Sequence, residues 1–461
     1  MSDTEELSSP WTPDLSGYPG AKYLAFVEAL AADIERGALR PGIRLLPQRE
    51  MAQRLGLSVG TVSKAYAEAE ARGLTSGEVG RGTFVQGRRP AGTAKPSNTV
   101  NLALNVPPST GEDELIRSVL SDILVDGDLD SLLDYLPHQG LPHHRTVFAR
   151  WLETMGVRTG IDHLFITNGG QHAISIAFTL LAPPSATVLT ERFTYSGMNA
   201  LAFQYGYRLH GVAGDSHGIL PEALDRAFRD TAARVLFLTP TLQTPTGTVM
   251  PLDRRREIAE IIRSHDGYVV EDDVYAFLCP VPPVPFLALV PERCFYVTSF
   301  AKCLAPGLRI GGMVAPENFR DRCINAIRAT GWMASPIMAE VVTRLVHSGD
   351  LMRQVLLKRE NAETRCALAD RVLGPWLPRV SDIPGFHRWL PLPAGRSLDA
   401  LIAQAAQAGI TLAPPGPSQQ VTANSLGIRI CLGHPATAAE LERALKELRG
   451  ILEAAETFSY V

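Results

Sequence analysis

From about residue 100 the chain alternates short, almost wholly apolar runs with longer segments of helical periodicity. The runs are LFITNGG from Leu164, ATVLTE from Ala186, RVLFLTP from Arg234, GYVVEDD from Gly267 and CFYVTSF from Cys294. A strand with no polar face must be covered on both sides, and the helical segments between the runs can supply that cover. The pattern predicts a mostly parallel sheet with helices on both faces. In such sheets ligands bind outside the carboxyl ends of the strands, so the residues following each run are where chemistry is expected. From about Gly331 the pattern turns helix-rich, then gives FHRWLPL, IRICLG and a final helix near Ala438–Glu453, which predicts a smaller C-terminal α/β lobe.

The first part of the chain follows another pattern. Tyr23, Phe26, Val27, Leu30 and Ile34 recur at helical spacing from Lys22 to Arg36, and Gly37 stops that helix. A second short helix follows Pro47, with Met51, Ala52 and Leu55 on one face, and Gly56 ends it. Ser58 can cap a third helix, from near Gly60 to about Arg72. Short strands around Leu74-Thr75 and Thr83–Val85 flank the turn Val79–Gly82. The order is helix, helix, turn, helix, then a hairpin wing. The boundaries this predicts are a loose arm at 1–20, a small domain at 21–86, a Gly/Pro/Ser-rich linker at 87–100, and a large domain at 101–461 whose small lobe begins near 331.

Charge separates the two parts. The chain carries −4 overall, yet Arg36 to Arg89 holds ten Lys and Arg against four Glu, a local +6. A basic patch of this kind can bind a polyanion from within an acidic protein. The six cysteines are scattered without a CxxC pair and are expected to be reduced, buried thiols. No run approaches the roughly 18 apolar residues of a membrane span, and the polar, acidic start MSDTEELSSP has no secretory pattern. A cytoplasmic protein is expected.

Residues 22–85 resemble the winged helix-turn-helix domain of the GntR family. The match runs through Gly42-x-x-Leu45-x-Pro47-Gln48-Arg49-Glu50-x-Ala52, Leu55-Gly56-Leu57-Ser58, Thr61-Val62, Ala65-Tyr66, Gly73-Leu74 and Gly80-Arg81-Gly82-Thr83-Phe84-Val85. The resemblance implies a recognition helix in the major groove, with Arg49 and the polar residues opening that helix on DNA. Val59 and Gly60 stand where many relatives carry Arg or Thr. Besides Arg49, the expected contacts are therefore Ser58, Thr61, Ser63 and Lys64, with Arg81, Gly82 and Thr83 in the wing.

The stretch CFYVTSFAKCLAPGLRIGG, from Cys294 to Gly312, puts Ser299, Lys302 and Arg309 together at the end of an apolar strand. One amine beside anion-binding groups suits a cofactor with an aldehyde at one end and a phosphate at the other. From about Val100 the chain resembles fold-type I pyridoxal phosphate (PLP) aminotransferases. That resemblance implies Lys302 as the Schiff-base lysine, Asp272 on the pyridine nitrogen, and Tyr275 and Thr244 near the phenolic oxygen. Thr244 replaces an asparagine common in relatives. It also implies phosphate binding by Gly169, Gly170 and Gln171 at a helix N-terminus, by Ser299 and Arg309, and by Tyr135 reaching into a second subunit. Tyr195 is expected on the ring face and Arg429 on an effector carboxylate. Glu271 and Asp273 are expected to be structural or solvated. His138, His143 and His144 are expected on a surface loop, and no metal site is expected.

A GntR-type winged helix joined to a PLP-dependent aminotransferase-like domain is the arrangement of the MocR subfamily. The resemblance implies a homodimeric transcriptional regulator that binds double-stranded operator DNA and senses a small amino compound as an external aldimine. Three alternatives remain open: a working aminotransferase carrying a DNA-binding head, a regulator that senses PLP itself, and a DNA-binding protein whose second domain is inert and only dimerises. In the sensor reading, weak or half-reaction transaminase activity is compatible with the aminotransferase-like domain.

Overall fold

The computed structural model describes residues 11–39, 42–78, 82–85, 99–125, 129–378, 381–392, 395–414 and 426–457. Arg81, most of the expected linker and the first ten residues lie outside these. The chain divides into two compact units, Met1–Ser97 and Asn98–Val461.

In the first unit, three helices span Lys22–Glu35, Gln48–Leu55 and Val59–Ala71, and an antiparallel ribbon pairs Thr75–Glu78 with Gly82–Val85. Gly56 ends the second helix at φ 61°, a left-handed turn that costs glycine nothing. Ser58 caps the third helix, its Oγ accepting from the Thr61 N–H at 3.1 Å. Phe26, Leu30, Met51, Val62, Tyr66 and Val85 fill one core. The buried Tyr66 hydroxyl donates to the Leu46 carbonyl at 2.7 Å, tying the third helix to the chain ahead of the second helix.

The second unit is built on a seven-stranded sheet. Its order is Leu164–Thr167, Gly311–Val314, Cys294–Ser299, Tyr268–Asp272, Val235–Leu238, Thr187–Glu191, Arg208–Val212. All pairings are parallel except the two made by Gly311–Val314, which runs antiparallel to both neighbours. Alternate strand residues enter different cores. Phe295 and Val297 join one side with Phe165, Phe237 and Val270, while Tyr296 joins the other with Leu164, Leu236 and Val269. This is period-two packing with both faces buried, and it explains why the strands read as continuous apolar runs.

The small lobe centres on His387–Pro391 paired with Gly427–Cys431, packed by the helices Asp350–Leu373 and Ala438–Thr457. It also takes a strand from the other end of the unit: Val100–Asn101 pairs in parallel with Ile410–Thr411. All six cysteines are free and buried.

One expectation is corrected and another is narrowed. His143 and His144 are not on a loop but in the first turn of the helix Pro142–Thr154, where Pro142 takes a position that tolerates its missing N–H. Of the two roles open to Glu271 and Asp273, structural or solvated, the structure shows the structural one. Glu271 is fully buried, 3.3 Å from the equally buried Arg255, and Asp273 accepts from the Tyr296 hydroxyl at 3.1 Å. No described helix is long and apolar enough to cross a membrane.

Candidate functional site

The strand Cys294–Ser299 ends at Ser299, whose Oγ donates to the Ile310 carbonyl and accepts from the Ala301 N–H at 3.2 Å. That bond starts the one-turn helix Phe300–Cys303 and points Lys302 into a cavity of about 300 Å³. Gly170, Gln171, Tyr195, Thr244, Asp272, Tyr275, Ser299, Arg309 and Arg429 line the same cavity. Residues from six separate stretches of sequence thus face one space.

The neighbouring strand Tyr268–Asp272 delivers Asp272 to it. Asp272 is buried, and its Oδ1 has no hydrogen-bond partner. Burial, reinforced by the charge of Asp273, pushes its carboxyl up to about 7; the Lys302 amine pulls the other way. Lys302 is pushed down to about 8, first by burial and then by the positive charge of Arg429. At pH 7 about one amine in ten is then neutral, against roughly one in three thousand at the ordinary lysine value. A partly neutral, shielded amine is suited to attack a carbonyl.

At the other end of the cavity, the helix Gly170–Leu181 presents its N-terminus. Gly169 precedes it at φ 80°, and a Cβ there would lie 2.6 Å from Nη2 of Arg309. Only glycine lets that guanidinium sit against the helix start. Arg309 is itself left-handed, at φ 54°, and donates to the Asn168 carbonyl at 3.2 Å. Backbone N–H groups, a helix dipole, a hydroxyl and a guanidinium together make an anion site.

The segment following Val100–Asn101 supplies groups that the sequence motifs do not mark. Asn105 donates from Nδ2 to the Tyr275 hydroxyl at 2.7 Å, and its carbonyl accepts from the Lys302 amine. The Ala103 carbonyl accepts from Nη2 of Arg429 at 3.0 Å, while Nε of Arg429 is buried without a partner. Behind the wall, buried Glu191 accepts from the N–H and hydroxyl of the lining residue Thr239. Burial raises the Glu191 carboxyl to about 7. A roomier groove of about 520 Å³ in the same unit is lined by Glu363, Asp370, Asp382 and Arg388 among others, and its lining includes no lysine.

Tyr135 is not among the residues lining this cavity. It stands 79% exposed with its ring 5.5 Å from Trp332. In the first unit, Arg49, Ser58, Ser63 and Lys64 are exposed, and Thr61, Gly82 and Thr83 half-buried. The hydroxyls of Ser58 and Thr61 bond each other at 2.8 Å, and the Lys64 amine lies 4.0 Å over the Tyr23 ring.

A sheet with ligand groups at its strand ends and a lysine after one of them defines an aminotransferase-like domain, here preceded by a helix-turn-helix unit. A family model for aminotransferase class I and II matches residues 97–372, and one for bacterial regulatory proteins of the gntR family matches residues 22–85. The chain belongs to the class I and II aminotransferase family, fused to a gntR-type DNA-binding domain in the arrangement of the MocR subfamily. It is 27% identical over 457 residues to the uncharacterized HTH-type transcriptional regulator YdeF of Bacillus subtilis, covering 97% of this chain and 98% of the relative. It is 27% identical over 389 residues to the probable rhizopine catabolism regulatory protein MocR of Rhizobium meliloti, covering 76% and 77%. The kynurenine aminotransferase of Pyrococcus horikoshii shares the fold, with a TM-score of 0.71 and 24% identity over 78% of this chain and 92% of that one.

Aminotransferases of this family bind PLP. The residues present fit that group. An orphaned, buried carboxylate oxygen faces a cavity that also holds a lysine amine and an anion cradle closed to any residue but glycine at position 169.

Proposed function

We propose that this chain is a PLP-dependent transcriptional regulator whose C-terminal unit senses a small amino compound. The observation that carries the reading is the unpartnered, buried Oδ1 of Asp272 in one cavity with the Lys302 amine. PLP supplies an aldehyde carbon able to exchange one amine for another, on a ring that draws electrons from it. Lys302 would hold that aldehyde covalently in the resting protein. Asp272 would keep a proton on the ring nitrogen, at the cost of staying ionised in an apolar wall. Ser299, Arg309 and the N–H groups of Gly170 and Gln171 would hold the phosphate; the Gly169 N–H is given to the Thr167 carbonyl at 2.8 Å, and its part is to make room for Arg309. Tyr195 would cover the ring, and Tyr275 and Thr244 would border its phenolic oxygen. Asn105 would orient both the Tyr275 hydroxyl and the displaced Lys302 amine.

Arg429 is suited to an effector carboxylate, since its Nε lacks a partner beside the cavity. It is held by the Ala103 carbonyl, and Ala103 follows the strand that enters the small lobe. An effector that engages Arg429 would pull on that lobe, and the linker to the DNA-binding head begins a few residues upstream. Arg49, Ser58, Thr61, Ser63, Lys64, Gly82 and Thr83 would contact operator DNA. Tyr135, turned to solvent, suits a homodimer in which it completes the second subunit's phosphate site.

The same residues would permit transamination, so the test has two arms. DNA from upstream of the chain's own gene is titrated with PLP-loaded protein while amino compounds are screened. A sensor predicts that one compound changes DNA affinity and that DNA changes the affinity for that compound by the same factor. Sustained turnover of an amino acid with a 2-oxo acid, with DNA affinity unmoved, would make the protein an enzyme instead. A response to PLP alone, with no further change on adding amines, would make it a PLP sensor.

A further inference from the structure

Away from the cavity, three ligating atoms from two helices meet at one point. The helices Pro142–Thr154 and Pro336–His347 pack together, and His143 and His144 from the first face Glu340 from the second. Nε2 of His144 lies 3.0 Å, and Nε2 of His143 3.2 Å, from the same carboxylate oxygen, Oε2. Neighbouring residues on a helix ordinarily point about 100° apart. Here the two rings are brought to a centroid separation of 4.1 Å. The three ligand atoms all lie within 4.8 Å of one another.

We propose that His143, His144 and Glu340 form a binding site for a divalent transition-metal ion, with zinc the preferred occupant. Two imidazole nitrogens and one carboxylate oxygen are a zinc donor set. Tetrahedral bonds of about 2.0–2.2 Å place neighbouring ligand atoms roughly 3.3 Å apart. The two nitrogen–oxygen separations already stand within a few tenths of an ångström of that edge. Ring rotation at His143, whose side chain is 56% exposed, can close the remaining one.

The surroundings suit an ion. His144 is 1% and Glu340 14% exposed, so two ligands are fixed in the wall and the third stands on the open side. A water can complete the fourth position, the pattern of three protein ligands with one site open. Arg344 donates to the other oxygen of Glu340, Oε1, at 2.8 Å. It thereby orients the carboxylate with Oε2 toward the histidines, as outer partners of metal ligands do. Each imidazole would carry its proton on Nδ1 and give the Nε2 lone pair to the ion. The ion replaces two N–H hydrogen bonds and pins the start of one helix to the middle of the other. The sequence pattern hides this site because the histidines and the glutamate lie nearly two hundred residues apart.

The test uses the full chain, stripped with a chelator and free of PLP. Titration with zinc chloride should give one ion per chain and raise the thermal midpoint, because only the folded state offers the site. Cobalt(II) in its place should give the intense visible bands of a four-coordinate ion. His143→Ala alters an exposed residue and is expected to fold normally while weakening zinc binding at least tenfold. Glu340→Gln keeps an acceptor for the histidines and should weaken it further. His138→Ala should change nothing, since that ring bonds the Trp332 carbonyl instead. Affinity no tighter than millimolar, or zinc binding unchanged in both His143→Ala and Glu340→Gln, would overturn the proposal and leave a hydrogen-bonded cluster only.

Discussion

Arg49, Ser58, Ser63 and Lys64 stand in solvent on the DNA-binding unit, whereas Lys302 and Asp272 are set into the wall of a cavity whose burial moves both their ionisations toward neutrality. In the first case function rests on position and charge, and one side chain can be exchanged with little consequence for the fold. In the second, the surroundings create the reactive state, so folding and function share the same atoms. The second unit holds two kinds of buried charge. Arg255 is satisfied within the chain: besides Glu271 it donates to the Met250, Pro240 and Val284 carbonyls and to the Thr241 hydroxyl. Asp272, one residue from Glu271, keeps an oxygen without a partner. One is complete without a ligand and the other is not.

The sharpest way to break that contrast is to remove each charge in turn. Arg255→Met should cost roughly 3–5 kcal/mol of stability, because it strands buried Glu271 and Asp273 without their cation. Denaturant unfolding measures this, and a loss below 1 kcal/mol would erase the distinction. Asp272→Asn should leave the PLP-free protein as stable as before or more so. It should weaken PLP binding by about 10- to 100-fold, the worth of one hydrogen bond to a charged group, read by spectroscopic titration.

The lysine gives a pH signature of intermediate size. With its amine at about 8 in the folded chain and 10.5 as the ordinary value, the unfolded state holds more protons between those pH values. Its contribution to the stability of the PLP-free protein therefore rises with pH across that window and is flat on either side. Attachment of PLP should quicken about tenfold per pH unit up to roughly pH 8 and level off above it, since only the neutral amine attacks. Stopped-flow absorbance follows this, and a plateau reached only near pH 10 would place the amine in solvent. The smallest effect belongs to the head. Ser58→Ala removes the cap of the recognition helix and should cost about 1 kcal/mol. DNA affinity should fall while PLP binding is untouched. A change in PLP binding would mean that substitution in the first unit acts on the site in the second.

Much of this is legible in the sequence alone, for reasons that differ by element. Buried strands announce themselves as apolar runs, and a strand end followed by a lone lysine, a Pro-Gly turn and an arginine has few uses. The strand Gly311–Val314 is less legible, because two of its four residues are glycine. The absent Cβ at Gly311 is what lets it lie against Gly169 and Gly170, where any side chain would come within 2.9 Å of their backbone. Asn105 and Ala103 carry no local signal at all. They are positioned by a two-residue strand whose partner, Ile410–Thr411, lies some three hundred residues further on. The isolation of Asp272 is likewise a property of packing: in GYVVEDD its two acidic neighbours look the same, and only the third dimension pairs Glu271 and Asp273 with Arg255 and Tyr296.

The central claim is most directly met by reducing the PLP-loaded protein with borohydride and mapping the adduct by peptide mass. The account predicts a visible band that is lost on reduction and one phosphopyridoxyl group per chain, on Lys302. A colourless protein with no adduct, or an adduct spread over surface lysines, would contradict it.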